Sequence, residues 1–438
     1  MNLDNDKFCC GLSRIDITPA IGLDLSGGAF GPSKGILHAL SAKALYIERL
    51  DRKLLLISAD LVGFDTVYAQ QIQQTISQKY NIPLTSIMLT ATHTHAGPAT
   101  VHFRNWGKVD DSYCRELKNK LEQLVGNAIS SSTPARIGSG YIDCPGVATN
   151  RVMEDGPVDN QLGVIRIENM QGQILAIVLN YACHAVNLHS YHNLISADFP
   201  YYIELEIQHR LGHGVSVFYL AEAGGDLNPK NFIFLKPSEQ AAQETGHKLA
   251  KRALELLPSI PMEENPILDW DTIEAHLPLQ PLPAKFELLA LIDQFRSLVK
   301  KKPDKATSNW KYCLNKTQLE WAQDALKEVE ANTTKTVETI TLSVLRIGNS
   351  VILGIPGELF TEFGIRIKSA AIFSFTALAT FANGYAGYFP NRQAFEINHY
   401  EAIECPKYCG IYLFQPHVGE VVSEAALTLL RRIKSRKN

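Results

Sequence analysis

The stretch Ser86–Pro98 reads SIMLTATHTHAGP. Its first half is largely apolar without polar alternation, the pattern of a strand covered on both faces. Its second half sets two histidines among small residues and ends at Gly97-Pro98, a strong punctuator. A buried strand opening at its end into chemistry-bearing residues is the unit of an α/β sheet, where ligands gather beyond the carboxyl ends of strands.

The same alternation extends in both directions. Upstream, Leu54–Ala59 (LLLISA) reads as a buried strand, and Val67, Ile72, Ile76 and Tyr80 form a helical stripe. Downstream, Cys114, Leu117, Leu121, Leu124, Val125 and Ala128 line one helix face. Gly163–Ile167 and Ile174–Leu179 read as a hairpin about Met170-Gln171-Gly172, Ser216–Leu220 as a strand, and Glu239–Leu257 as a helix stopped by Pro258. Prolines then cluster from Pro258 to Pro283. Phe286–Lys300 carries an apolar helix face, and Thr317-Gln318-Leu319-Glu320 reads as a capping box opening a second helix. Strand patterns return at Ile340–Ile347, Val351–Ile355 and Ala377–Phe381, with Gly348-Asn349 as a hairpin turn, and Glu420–Ile433 closes the chain as a helix. The expected fold is α/β: mixed β-sheets flanked by helices in one domain, 1–438, with 259–335 a Pro-rich and helical insertion.

The 438 residues are 45% hydrophobic and 20% charged, which excludes collagen, coiled coil and a mainly disordered chain. The net charge of -3, from 42 basic and 45 acidic residues, argues against nucleic acid as a partner. No run approaches the roughly 20 apolar residues of a membrane span. The opening MNLDNDKFCC lacks the apolar core of a secretory signal. The eight cysteines therefore read as reduced thiols, and the expected location is cytoplasmic. A small-molecule substrate is expected, and homo-oligomerisation stays open.

Several apolar runs end in small and metal-type residues. Beside the two histidines above, Asn180-Tyr181-Ala182-Cys183-His184, Gly224-Gly225-Asp226-Leu227-Asn228-Pro229, Pro356-Gly357-Glu358 and Asn383-Gly384-Tyr385-Ala386-Gly387-Tyr388 all follow strands. In extended backbone His93 and His95, two apart, face the same way. Together with His184 and Glu358 they offer imidazole and carboxylate, a donor set suited to zinc. His189 and His192 match no zinc spacing and read as surface or structural. Asp60 and Asp198 read equally as caps or as support for a ligand. There is no P-loop, dinucleotide fingerprint, G-x-S-x-G or kinase set.

The run THTHAGP at Thr92–Pro98 resembles the histidine motif of the neutral, or non-lysosomal, ceramidase family. The order of the other clusters is similar to that family's catalytic domain: Asn150-Arg151, then the His184 cluster, Gly225–Pro229, Pro356-Gly357-Glu358, Asn383-x-Tyr385-x-x-Tyr388 and Tyr400-Glu401. The resemblance covers roughly residues 8–435 and points to a bacterial-type branch of ceramidase-like hydrolases.

The resemblance implies one zinc held by His93, His184, Glu358 and Tyr388, with His95, Arg151 and Tyr400 around the scissile amide. The implied chemistry is hydrolysis of a linear amide bond by a zinc-activated water. His95 and Tyr400 would donate hydrogen bonds or protonate the leaving amine. Arg151, with Asn228, would bind the substrate, Arg151 by a bidentate grip on a polar group. Two other readings stay open: a zinc enzyme forming an amide or lactam, and a non-catalytic metal protein. Three departures from the family stand out. Asn228 replaces the serine of its Gly-Asp-x-Ser-Pro motif, the chain ends soon after the closing helix where those ceramidases carry a sandwich domain, and 259–335 has no counterpart. They lead to the expectation of a small, soluble and more polar N-acyl substrate in place of ceramide.

Overall fold

A computed structural model of the protein describes residues 6–26, 31–189, 192–300 and 306–436; Met1–Asn5 of the opening segment lie outside them. The larger sheet has eight strands, in the order Ser216–Ala221, Ile174–Tyr181, Gln161–Asn169, Thr133–Asp143, Cys9–Asp16, Ser41–Arg49, Arg52–Ala59 and Ile87–Ala91. A second sheet has four, in the order Leu268–Pro278, Val337–Ile347, Ser350–Ile355 and Phe375–Thr380. Alternation within the strands explains why they read as continuous apolar runs. In LLLISA, Leu54 and Leu56 join a cluster with Leu345, Ile352, Phe375 and Ala377 of the second sheet. Leu55 and Ile57 point the other way, into a cluster with Ile72, Ile76, Leu117, Leu121 and Ile203. The two sheets therefore pack face to face, and helices cover both outer faces. Helices α1 (Thr66–Tyr80), α2 (Asp111–Ser130), α3 (Phe199–Leu211) and α4 (Glu239–Leu256) contribute to the cover of the larger sheet. The closing helix Val418–Ser435 helps to cover the smaller one.

Within these two sheets most neighbouring strands are antiparallel, but three pairs are parallel: Arg52–Ala59 with Ile87–Ala91, Ile174–Tyr181 with Ser216–Ala221, and Ser350–Ile355 with Phe375–Thr380. Each pair is joined through a helix in a βαβ crossover. Histidine or carboxylate residues follow the carboxyl end of one strand in each pair, which brings His93, His184 and Glu358 to the same end of the fold.

The segment 259–335 differs from the expected excursion. Leu268–Pro278 is an edge strand, paired along its whole length with Val337–Ile347. Its sequence, LDWDTIEAHLP, alternates apolar and polar residues as a half-covered strand does, but flanking prolines mask that signal. The part that leaves the body begins after Pro278 and returns before Val337, whose Cα atoms are partners across the ladder. It consists chiefly of α5 (Lys285–Leu298) and α6 (Ala306–Ala331), packed through Leu288, Ile292, Trp321, Ala322 and Ala325. Thr317 does not cap a helix. It lies inside α6, where its buried hydroxyl donates to Arg104 O at 2.8 Å. The helix instead begins at Ala306, ahead of the expected start. Among the described residues no helix is long and apolar enough to cross a membrane.

Candidate metal centre and active site

His93 follows strand Ile87–Ala91 with a positive φ of 64°, so the backbone is not extended there. The two rings still meet, Nε2 to Nε2 at 3.1 Å and perpendicular to one another. A turn, not strand periodicity, produces the convergence. His93 Nδ1 lies 2.7 Å from Val62 O, and His184 Nδ1 lies 2.9 Å from Gly224 O and 3.0 Å from Leu227 O. Carbonyls only accept, so each Nδ1 is the protonated nitrogen and each Nε2 keeps its lone pair. This orientation by backbone carbonyls is the usual support of metal-ligating histidine.

The lone pair of His184 faces a carboxylate. His184 Nε2 lies 2.8 Å from Glu358 Oε2, and His93 Nε2 lies 3.6 Å from the same oxygen. Two acceptors at 2.8 Å repel unless a proton or a metal cation sits between them. Burial holds both imidazoles well down, His184 to about 3 with help from Arg151. Glu358 is also buried, which pushes its carboxyl up. Tyr388 brings its hydroxyl to 3.4 Å from His184 Nε2. Ligands about 2.0–2.1 Å from a tetrahedral zinc stand roughly 3.3 Å apart, close to the separations seen here. Ring nitrogens of His93, His95 and His184 also lie within 4.8 Å of one another. The donor set thus fits a zinc ion. Among the described hydrogen bonds no carbonyl meets His95 Nδ1, unlike Nδ1 of His93 and His184.

Loops are locked to one another around this point. Asp226 accepts from Thr361 N and Thr361 Oγ1 through Oδ1, and from Asn150 Nδ2 through Oδ2. That single carboxylate ties the loops carrying Arg151, Asn228 and Glu358. Gly225 is required by closeness: a Cβ there would lie 2.7 Å from Glu358 O. Asn180 clips the two sheets, donating to Leu220 O and Leu378 O and accepting from Leu378 N.

Arg151 differs from the expected substrate grip. Its Nε donates to Glu401 Oε1, Nη1 to Asn228 Oδ1, and Nη2 to both Gly225 O and Tyr388 OH. Four of the five N–H donors of a guanidinium are thereby used, so a bidentate hold on substrate is unavailable in this arrangement. Arg151 instead positions Tyr388 and Asn228. Burial alone would raise the Glu401 carboxyl, but Arg151 and His399 hold it below its usual range.

A cavity of about 420 Å³ opens over these residues. His93, His95, Arg151, Asn228, Glu358, Tyr388 and Tyr400 all line it. Tyr400, 40% exposed, stands on the outer side. Much of the remaining wall is apolar or aromatic, including Phe103, Trp106, Val186, Phe232, Trp310 and Leu314. Such a wall does not favour the more polar N-acyl substrate expected from the sequence; α6 supplies Trp310 and Leu314 of it.

No family model matches the chain. Its fold matches the crystal structure of neutral ceramidase from Pseudomonas aeruginosa with a TM-score of 0.72, over 97% of this chain and 75% of that one, at 18% identity. The chain shares the fold of neutral ceramidase. A ceramidase complexed with C2 gives a TM-score of 0.73 over 98% of this chain and 76% of the other, at 17% identity. In sequence, the domain is 25% identical over 224 residues to neutral ceramidase A of Dictyostelium discoideum, covering 44% of this chain and 31% of the relative. Neutral ceramidase B of the same organism is 26% identical over 131 residues, 26% of this chain and 18% of the relative. The matched regions span less than a third of these curated relatives.

The site also uses residues that the sequence reading left without a role. Tyr385 donates to Glu358 Oε1 at 2.6 Å, fixing the carboxylate that faces the histidines. Phe381 stacks on His93 with ring centroids 3.7 Å apart. Glu401 is the partner of Arg151. Tyr385 and Glu401 stand inside quoted motifs, so their spacing was a usable signal; Phe381 offered none beyond following a strand. Asp60 and Asp198 act on backbone. Asp60 accepts from Ser41 N and Oγ, and Asp198 caps α3 and accepts from Leu188 N. His189, read from the sequence as surface or structural, lines the cavity.

Proposed function

We propose that the domain hydrolyses the linear amide bond of an N-acyl compound with one apolar acyl chain, using a zinc ion held by His93, His184, Glu358 and Tyr388. The observation that carries this reading is the meeting of two carbonyl-oriented imidazoles with one buried carboxylate at a cavity with aromatic walls. Zinc held there would supply Lewis acidity and a water of lowered pKa.

The protein's own groups do the rest. Apolar walls take up the acyl chain and exclude bulk water, which strengthens every polar contact at the amide. In this reading His95, within hydrogen-bonding distance of His93, and Tyr400, on the cavity wall, donate to the amide oxygen and nitrogen. Water adds its oxygen to the carbonyl carbon, the C–N bond breaks, and a proton delivered to nitrogen releases the amine. Asn228, held by Arg151, presents its amide to the substrate beside the scissile bond.

The test is zinc content of the purified protein together with release of fatty acid from short-chain ceramides and simple N-acyl amines. Stoichiometric zinc and turnover lost in His93→Ala are expected. Absence of zinc, or full activity in that variant, would overturn the reading; amide formation as the main reaction would reverse its direction.

A further inference from the structure

The outer rim of the cavity is made by two segments far apart in sequence. One is the loop Asn231–Leu235, rooted by Asn231, which accepts from Asn187 Nδ2 and donates to Ala241 O. The other is α6, whose inner part is fastened to the cavity wall. Asp324 pairs with Arg104, Glu320 accepts from Asn105, and Gln318 accepts from Lys407. Trp310 and Leu314, one turn apart on α6, both face the cavity. Across the mouth, Phe234 meets Trp310 edge to face, ring centroids 5.8 Å apart at 88°. Phe234 is 57% exposed, a high value for a phenylalanine on an anchored loop. The metal ligands, by contrast, are buried at the cavity floor.

We propose that Phe234 and Trp310 form an aromatic gate that sets the length of acyl chain the cavity accepts. The inference rests on the N-acyl substrate read above, and it assigns a specificity role to the insertion helix. With the carbonyl held at the floor, the far end of a chain must run outward along Leu314 and reach the paired rings. A short chain stops below them and is covered; a longer one must displace them. Their removal opens an exit without touching any ligand.

The experiment compares wild type, Phe234→Ala, Trp310→Ala and the milder Phe234→Leu and Trp310→Leu. Each is given N-acyl amides of one amine with chains from acetyl to palmitoyl, and binding of the corresponding fatty acids is measured by calorimetry. The palmitoyl-to-acetyl ratio of kcat/KM should rise at least about tenfold in the alanine variants, the size expected when a few methylenes gain room. The leucine variants should fall between, and zinc content should not change. Turnover with an unchanged chain-length profile would overturn the gate and leave the hydrolase reading intact. No turnover by any variant, with fatty-acid binding still shifted toward longer chains, would support the gate and sink the proposed reaction. Fatty-acid binding that ignores both rings would overturn the gate in either case.

Discussion

Arg151 Nε donates to Glu401 Oε1 at 2.9 Å, and the same guanidinium holds Tyr388 and Asn228. Glu401 is almost wholly buried, so the pair is a fixed strut and not a surface contact. Glu401→Gln keeps the shape but leaves a partly buried cation short of its counter-charge. Breaking such a pair typically costs about 3 kcal/mol or more. A shift of that order in urea unfolding is expected, together with weaker metal binding because Tyr388 loses its clamp. An unchanged midpoint would show that the other bonds of Arg151 suffice.

The ligands should rank by charge and basicity. Glu358→Gln preserves volume but removes the anion facing both imidazoles, and zinc affinity should fall at least about tenfold. Tyr388→Phe should cost less than His184→Ala, because a neutral phenol is the weaker donor. Competition against a chelator of known affinity reads all three; equal losses for Tyr388→Phe and His184→Ala would reverse the ranking.

Asp198 gives a pH signature of its own. Burial pushes its carboxyl up to about 7 from 3.8, although Leu188 N and Phe199 N both donate to it. Between these values the folded chain binds the proton more tightly than the unfolded one. This group's contribution is therefore complete below about pH 4 and is lost as pH rises through 7. Asp198→Asn removes the titration, so the difference in unfolding free energy between wild type and variant should change with pH across that window. A difference independent of pH would mean that the carboxyl titrates normally in the fold.

Replacing residues 284–332 with a short linker should leave the zinc site intact, since none of its ligands lies in that segment. The cavity should lose the wall supplied by Trp310 and Leu314. Zinc content near wild type with a broadened acyl preference is the expected result. Loss of zinc would mean that the helices brace the site through Arg104 and Lys407.

Much of the fold was legible because doubly covered strands such as LLLISA leave an uninterrupted apolar run, while helix faces repeat at helical spacing. The edge strand Leu268–Pro278 was not, since prolines bracket an alternation that contains two Asp and one His. The Thr317 capping box failed for a different reason. Its residue pattern is real, but tertiary contacts with Arg104 and Asn105 use those polar groups inside a longer helix. At the site, the residues found were those with metal-type side chains after strands. What stayed hidden was coupling: that Arg151 is already spoken for, that Tyr385 fixes Glu358, and that Phe381 lies flat on His93. Such partnerships join strands distant in sequence, and no local spacing encodes them.

The ladder between Leu268–Pro278 and Val337–Ile347 brings the two ends of the α5–α6 segment side by side, with Leu279 N bonded to Thr336 O at 2.9 Å. A segment that leaves and re-enters the body at one spot is free to change length or sequence without disturbing strand register elsewhere. It behaves as an exchangeable cassette. A change in this one module would alter the cavity wall at Trp310 and Leu314 while the strands leading to His93, His184 and Glu358 stay in register.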